Sequence, residues 1–225
     1  MRVSPVIVLF ALVVFAIALA AFASVKHPGD VDTVPVPERP DPSQQNQPPP
    51  APKMTFDQAR AGAVKVAMEI EGKGTLTLEL YPKAAPKTVE HFVGLCRTGF
   101  YNGILFHRVV PHFVVQAGDP ASKNVEPAAI RDLTPEDAGS KYHLGGGGSG
   151  QAIPFEGGSL PNDANTLAMA LSTIRSSTGD SQFFINLVDN HRLDGDYCVF
   201  GKVVDGIPIV STIQQGDRIK SMKVQ

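Results

Sequence analysis

The sequence predicts an all-β domain, a barrel or a sandwich, and three observations carry that prediction. Beyond Met54, apolar and polar residues mostly alternate, the apolar runs are short and bounded by turn residues, and only two stretches have helical spacing. A parallel α/β sheet would need a helix between successive strands, and this chain has too few. With 43% hydrophobic and 19% charged side chains over 225 residues, the chain can build a sizeable core and is neither disordered nor collagen-like.

The chain before Met54 is built differently. Residues 6–23 (VIVLFALVVFAIALAAFA) form an uncharged apolar run of 18, with Arg2 before it and Lys26 and His27 after it. That is near the shortest run able to span a hydrocarbon core of ~30 Å. Ala21-Phe22-Ala23 before Ser24 also has the small-residue pattern of a signal cleavage site. Residues 1–24 therefore read as a membrane anchor or a signal peptide. Length favours the anchor, because a signal's apolar region is normally ~7–15 residues. Either way, Arg2 and the terminal amine stay cytoplasmic and the remainder is exported, to the periplasm or the extracellular space. It is anchored there through residues 6–23, or secreted if the segment is cleaved. Residues 25–53 hold 9 of the chain's 19 prolines, which lack the amide donor that a helix or central strand needs. In polyproline II geometry ~25 such residues reach about 75 Å, so this stretch reads as a tether for a folded domain over 54–225.

Within that domain, residues 63–70 and 74–80 alternate about Glu71-Gly72-Lys73 and predict a hairpin. Val89, Phe92, Val93 and Cys96 fall at i, i+3, i+4 and i+7 behind Pro86, which predicts one amphipathic helix. Further strands are expected at 105–110, 114–118, 166–170, 183–187 and 199–203, and a second short helix at 207–214. Residues 119–165 read as irregular, with Gly145 to Gly150 (GGGGSG) a flexible loop. No Gly-Lys-Ser/Thr follows those glycines, so they are not a phosphate loop.

Several chemistries are excluded early. Lys and Arg number 20 against 22 Asp and Glu, for a net charge of -2 and a pI near 6.3, which gives no footprint for nucleic acid. Cys96 and Cys198 are too few for a disulfide framework and lack the C-x-x-C spacing of zinc or redox sites. Their spacing leaves their pairing open. His107 and His112 have no third ligand nearby in sequence, so no metal or cofactor is expected.

The stretch FHRVVPHFVVQAGD at 106–119 concentrates the remaining chemistry. Arg108 and Gln116 are eight apart and share a face of a regular strand pair, whereas Phe113, five from Arg108, does not. Pro111-His112 must then break the register, through a bend or bulge that brings guanidinium, ring and carboxamide onto one concave surface.

These residues, with NTLAMA at 165–170, SQFFI at 181–185 and LDGDYCVFGKVVDG at 193–206, are four blocks in order, and over about 64–216 the chain resembles the cyclophilin peptidyl-prolyl cis-trans isomerases. The resemblance implies a closed eight-stranded antiparallel β-barrel capped by two short α-helices, with a substrate groove on its outer face. It implies Arg108 as the catalytic arginine, Phe113 as the floor of a proline pocket and Gln116 as a hold on the peptide backbone. Val114, Phe184 and Leu193 complete the pocket, with Gln182 beside it and Ala170 and Leu171 as a backbone strip along the peptide. The family commonly has methionine where Val114 stands, asparagine at Leu171, histidine at Tyr197 and tryptophan at Arg192. Loss of that aromatic lid at Arg192 implies weak cyclosporin binding. The implied function is acceleration of X-Pro isomerisation during protein folding outside the cytoplasm, on proline-containing peptides and unfolded client proteins, by a monomer without cofactor. The alternative is a non-catalytic proline-peptide binding module or chaperone using the same groove.

Overall fold

Side-chain alternation along two opening strands sets the inside of the molecule. The computed structural model describes residues 51–225. The expected anchor or signal at 1–24, and all of the tether before Ala51, lie outside the described residues. Among those described, no helix is long and apolar enough to cross a membrane. A capping box at Thr55 and Gln58 starts a short helix, α1 (Phe56–Ala59). The strands β1 (Val64–Ile70) and β2 (Gly74–Leu80) pair antiparallel as expected, Ile70 opposite Gly74. Val66, Met68, Ile70, Leu76, Leu78 and Leu80 are buried together on one face.

The expected amphipathic helix is α2 (Pro86–Arg97), whose Val89, Phe92, Val93 and Cys96 are all buried. Phe92 lies 5.4 Å from the Phe183 ring, 5.0 Å from Phe200 and 4.9 Å from Tyr101, centroid to centroid. Its N-terminal residue, Ala85, offers no side-chain cap. The carboxylate of Glu156 supplies one from a distant loop, accepting from the amides of Lys87 (2.9 Å) and Thr88 (2.7 Å) and from Thr88 Oγ1 (2.7 Å).

The remaining elements in chain order are β3 (Arg108–Val110), β4 (Val114–Ala117), α3 (Pro127–Arg131), α4 (Pro135–Tyr142), β5 (Thr166–Met169), β6 (Phe183–Asn186), β7 (Val199–Asp205), α5 (Ile207–Val210) and β8 (Ile219–Val224). All eight strands form one antiparallel sheet in the order β3-β4-β6-β5-β7-β2-β1-β8. The sheet is an open half-barrel, which corrects the closed barrel expected from the sequence. Its two edges, β3 and β8, share only one bridge, Leu105 with Arg218. The backbone there is paired but irregularly: Gly103 N donates to Ile219 O, Phe106 N to Asp217 O and Gly216 N to Phe106 O. Ile219 N also donates to Ile104 O, which makes Leu105 and Arg218 a non-hydrogen-bonded pair; Leu105 N points away from β8 and donates to Ser122 Oγ at 3.0 Å.

Five short α-helices, rather than two, accompany the sheet among the described residues. Two of them, α3 and α4, fall in the stretch read as irregular. Each begins with proline at its first position, and Thr134 caps α4 by accepting from Asp137 N at 3.1 Å. With Leu105, Val125 and Leu144 they bury Ile130 and Ala138 in a small cluster of their own at the open seam. Gln215 Nε2 donates to Ile130 O (2.7 Å) and Leu133 O (2.9 Å), tying them to the chain that enters β8.

Removing the Glu156 carboxylate leaves the first amides of the amphipathic helix, the buried Thr88 among them, without their partner. Glu156→Ala is expected to cost about 1–2 kcal/mol in urea unfolding. An unchanged midpoint would show that the loop carboxylate does not hold the helix start.

Candidate functional site

Register alone brings the site residues onto one rung. Arg108 of β3 is paired with Gln116 of β4, Gln116 with Phe184 of β6, and Phe184 with Ala168 of β5. Facing residues of antiparallel strands share a face, so these four side chains stand on the side of the sheet away from the inner core. Val114, two residues from Gln116, stands with them, while Val115, Ala117, Phe183 and Ile185 point into the core.

Of the bend or bulge expected at Pro111-His112, the structure has the bend, a tight hairpin turn. His112 takes a left-handed φ of 57°, and Phe113 N donates to Val110 O at 3.1 Å. Phe113 is thereby swung back over the outer face. Its carbonyl is held twice, by Leu187 N (2.9 Å) and by Asn190 Nδ2 (3.0 Å). Asn190 continues to Asn186 Oδ1 (2.8 Å), and Asn186 to Thr166 Oγ1 (2.9 Å), all buried. The sequence reading passed over these asparagines. Their one signal was a polar residue, Asn186, at the end of the apolar run SQFFI.

The polar members form a chain. Arg108 Nη1 lies 3.5 Å from Gln116 Oε1, Gln116 Nε2 donates to Gln182 Oε1 at 3.0 Å, and Gln182 Nε2 donates to Gly147 O at 2.7 Å. The apolar members form a cluster: Phe113, Val114, Ala170, Phe184, Leu193 and Tyr197 pack together. Phe184 and Tyr197 meet edge to face at 5.5 Å. Arg108 Cζ is 5.8 Å from the centre of the Phe113 ring, and Arg192 Cζ is 4.6 Å from it. Leu171 departs from the group, because its side chain packs against the inner core and only its main chain remains for the outer face.

Burial lowers the affinity of Arg108 for its proton and raises that of the Tyr197 hydroxyl, while each opposes the shift of the other. Arg108 has no carboxylate within ion-pair distance among the described residues. His107, only 3% exposed, is pushed down to about 4, chiefly by burial, with Arg108 acting in the same direction and Asp119 against it. Among the described residues neither of its ring nitrogens has a partner of good hydrogen-bond geometry, although the Leu105 backbone and the Gln182 side chain also act against the shift. It stays a neutral imidazole beside the site at neutral pH.

The glycine loop 145–150, expected to be flexible, is pinned by two carboxylates. Asp119 accepts from Gly145 N (2.6 Å) and Gly147 N (3.0 Å), and Asp180 accepts from Gly150 N (2.9 Å), Gln151 N (3.2 Å) and Ser149 Oγ. A β-carbon on Gly147 or Gly148 would collide with those carboxylates, so glycine is required by close approach. Burial would raise the Asp180 carboxyl, but hydrogen bonds from Ser149, Gly150 and His91 outweigh it and its pKa is lowered. Cys96 and Cys198, whose pairing the sequence left open, are free buried thiols, both pushed up to about 12 by burial. Cys96 Sγ contacts Met222 Sδ and Cys198 Sγ contacts Thr88 Oγ1. Among the described residues no three His, Cys, Asp or Glu are placed to hold a metal ion.

The family model described as cyclophilin type peptidyl-prolyl cis-trans isomerase/CLD matches residues 65–225. Over 152 residues the chain is 38% identical to a peptidyl-prolyl cis-trans isomerase of Helicobacter pylori, covering 67% of this chain and 80% of that protein. Over 156 residues it is 34% identical to peptidyl-prolyl cis-trans isomerase B of Bacillus subtilis, covering 69% and 94%. Among solved structures it is similar to a cyclophilin type peptidyl-prolyl cis-trans isomerase of Cryptosporidium parvum, with a TM-score of 0.58 and 25% identity over 72% of this chain and 98% of that one. A second structure of that protein, solved in the presence of the dipeptide Ala-Pro, gives a TM-score of 0.57.

His107 makes a testable contribution to stability. Its ordinary value of 6.5 applies in the unfolded chain and about 4 in the fold. Between those values the unfolded chain binds a proton that the folded chain refuses, so stability falls as pH drops from about 6.5 to about 4. The loss amounts to about 3 kcal/mol. His107→Phe is expected to remove that part of the acid slope in urea midpoints taken between pH 4 and 7. Equal slopes in the two proteins would contradict it.

Proposed function

This chain belongs to the cyclophilin type peptidyl-prolyl cis-trans isomerase family and is a peptidyl-prolyl cis-trans isomerase, and from that premise we propose that the outer-face groove over β3, β4 and β6 is where X-Pro bonds of folding client proteins are turned. The observation that carries this reading is a half-buried guanidinium without a carboxylate partner, held beside an apolar pocket floored by Phe113.

The chemistry follows from amide electronics. The nitrogen lone pair is delocalised into the carbonyl, which sets a barrier of ~18–20 kcal/mol and leaves X-Pro exchange at roughly 10–100 s. Twisting the bond localises the pair on nitrogen. Arg108, directed at the prolyl nitrogen, stabilises that twisted amide more than the planar one, which is what catalysis requires. Phe113, Val114, Phe184 and Leu193 hold the pyrrolidine ring while the preceding carbonyl rotates. Gln116, steadied by Gln182, and the main chain at Ala170 and Leu171 hold the peptide backbone, and Tyr197 walls one side. Rotation makes and breaks no covalent bond, so the step calls for no nucleophile.

The setting is also part of the proposal. The apolar run at 6–23 exports the chain as an anchor or a cleaved signal, residues 25–53 tether it, and residues 54–225 act outside the cytoplasm as a monomer on unfolded, proline-containing clients. The second reading, a binding module without turnover, has Arg192 over the pocket floor and Leu171 facing the core in its favour.

One assay separates the two readings. In prolyl isomerisation, Arg108→Ala is expected to lower kcat/KM by roughly 10²–10³, as loss of one preorganised donor does elsewhere. Arg108→Lys rescues little, since an ammonium on a flexible stem does not reproduce the planar fork. Full activity in Arg108→Ala would move the protein to the binding-module class.

The pH profile tests the same electrostatic reading independently. The rate is expected to be flat from about pH 6 to about 8.5, because His107 titrates near 4 and Tyr197 above its ordinary 10. A clear titration at about pH 6.5 would point to acid–base chemistry instead.

A further inference from the structure

Arg192 does more than replace an aromatic residue at the groove. It is the middle residue of the 3-10 turn His191–Leu193, directly before Leu193 of the apolar pocket, and it is exposed. Its guanidinium nevertheless sits over the Phe113 ring at 4.6 Å. Among the described residues it has no carboxylate or hydrogen-bond partner. The acids around it are otherwise engaged: Asp194 accepts from Asn162 and lies 3.3 Å from His191 Nδ1, and Asp189 accepts from Ala164 N. With Arg108 at 5.8 Å from the same ring, two guanidinium groups without a carboxylate partner among the described residues flank the pocket floor of a chain whose net charge is -2.

A guanidinium held over a ring keeps its N–H fork for a second partner, and that fork matches a carboxylate. Successive Cα atoms are about 3.8 Å apart, so with proline on Phe113 the side chain next to it lies within reach of Arg192. We propose that Arg192 is a specificity-determining residue that selects peptides carrying Asp or Glu next to the isomerising proline. The inference rests on the proposed proline site at Phe113.

The test uses the full chain in detergent and two peptide series, Ala-Xaa-Pro-Phe and Ala-Ala-Pro-Xaa, with Xaa as Glu, Gln, Lys or phosphoserine. In at least one series kcat/KM for Glu is expected to exceed that for Lys by about fivefold at low salt, the size of a rim charge effect. The ratio falls toward one in about 1 M salt, where the screening length is about 3 Å. Arg192→Gln brings it below twofold at low salt without lowering the thermal midpoint. A ratio within twofold in both series for the unaltered chain, or the same ratio in Arg192→Gln, overturns the proposal. Preference for phosphoserine without preference for glutamate overturns the carboxylate assignment. Failure to turn over any peptide overturns the groove itself, which is a different result from turnover without charge preference.

Discussion

Side chains alternate across a β-sheet with a period of two, and the rest of this structure depends on that alternation being kept over four neighbouring strands. Because Arg108, Gln116, Phe184 and Ala168 occupy one rung, a single register gives the sheet a core face and a chemical face. A slip of one residue at any pairing would turn a pocket residue into the core and expose a core residue in its place. The inner face secures the register: Phe92 packs into Phe183 and Phe200, whose neighbours Phe184 and Val199 point outward. The stability of the core is thereby also the precision of the groove.

Two carboxylates, one buried and one partly buried, provide the second level of support. Asp119 and Asp180 do not face the groove; they hold the glycine loop, and the loop holds Gln182, which holds Gln116. Backbone amides are good partners for a carboxylate because they cannot swing away, and glycine lets them come close. A four-glycine run, which in isolation has the most backbone freedom of any sequence, is used here where the least is allowed.

The site also accepts unfavourable terms that a purely structural domain would avoid. Among the described residues Arg108 is half-buried with no carboxylate to compensate it, and His107 is buried without a ring partner of good hydrogen-bond geometry. Pairing Arg108 with a carboxylate would stabilise the ground state and remove the free donor that a twisting amide needs. Stacking near Phe113 supplies a partial substitute, since a ring face attracts the cation without consuming its N–H groups.

Seven of the eight strands, the amphipathic helix and the shared face of Arg108 and Gln116 were legible in the sequence because each depends on local period or on parity along a few residues, whereas the edge strand β8 was not read. Parity put Arg108 and Gln116 on one face, and the register then makes them direct partners. Pro111-His112 marked the break as well; what the pattern could not give was the left-handed conformation of His112 or the asparagine network that fixes Phe113 from 73 to 77 positions away. Helices α3 and α4 carried readable signals in Pro127, Thr134 and Pro135, but they are too short for periodicity to reveal them. Whether the sheet closes, whether Leu171 faces the groove and whether the glycine loop moves were decided only by tertiary structure. Each turns on where backbone amides and side chains find their partners among distant residues, as Phe106 N does at Asp217 and Gly147 N at Asp119. A hydrogen bond between strangers in sequence has no local signature, whereas a hydrophobic period is written into the chain itself.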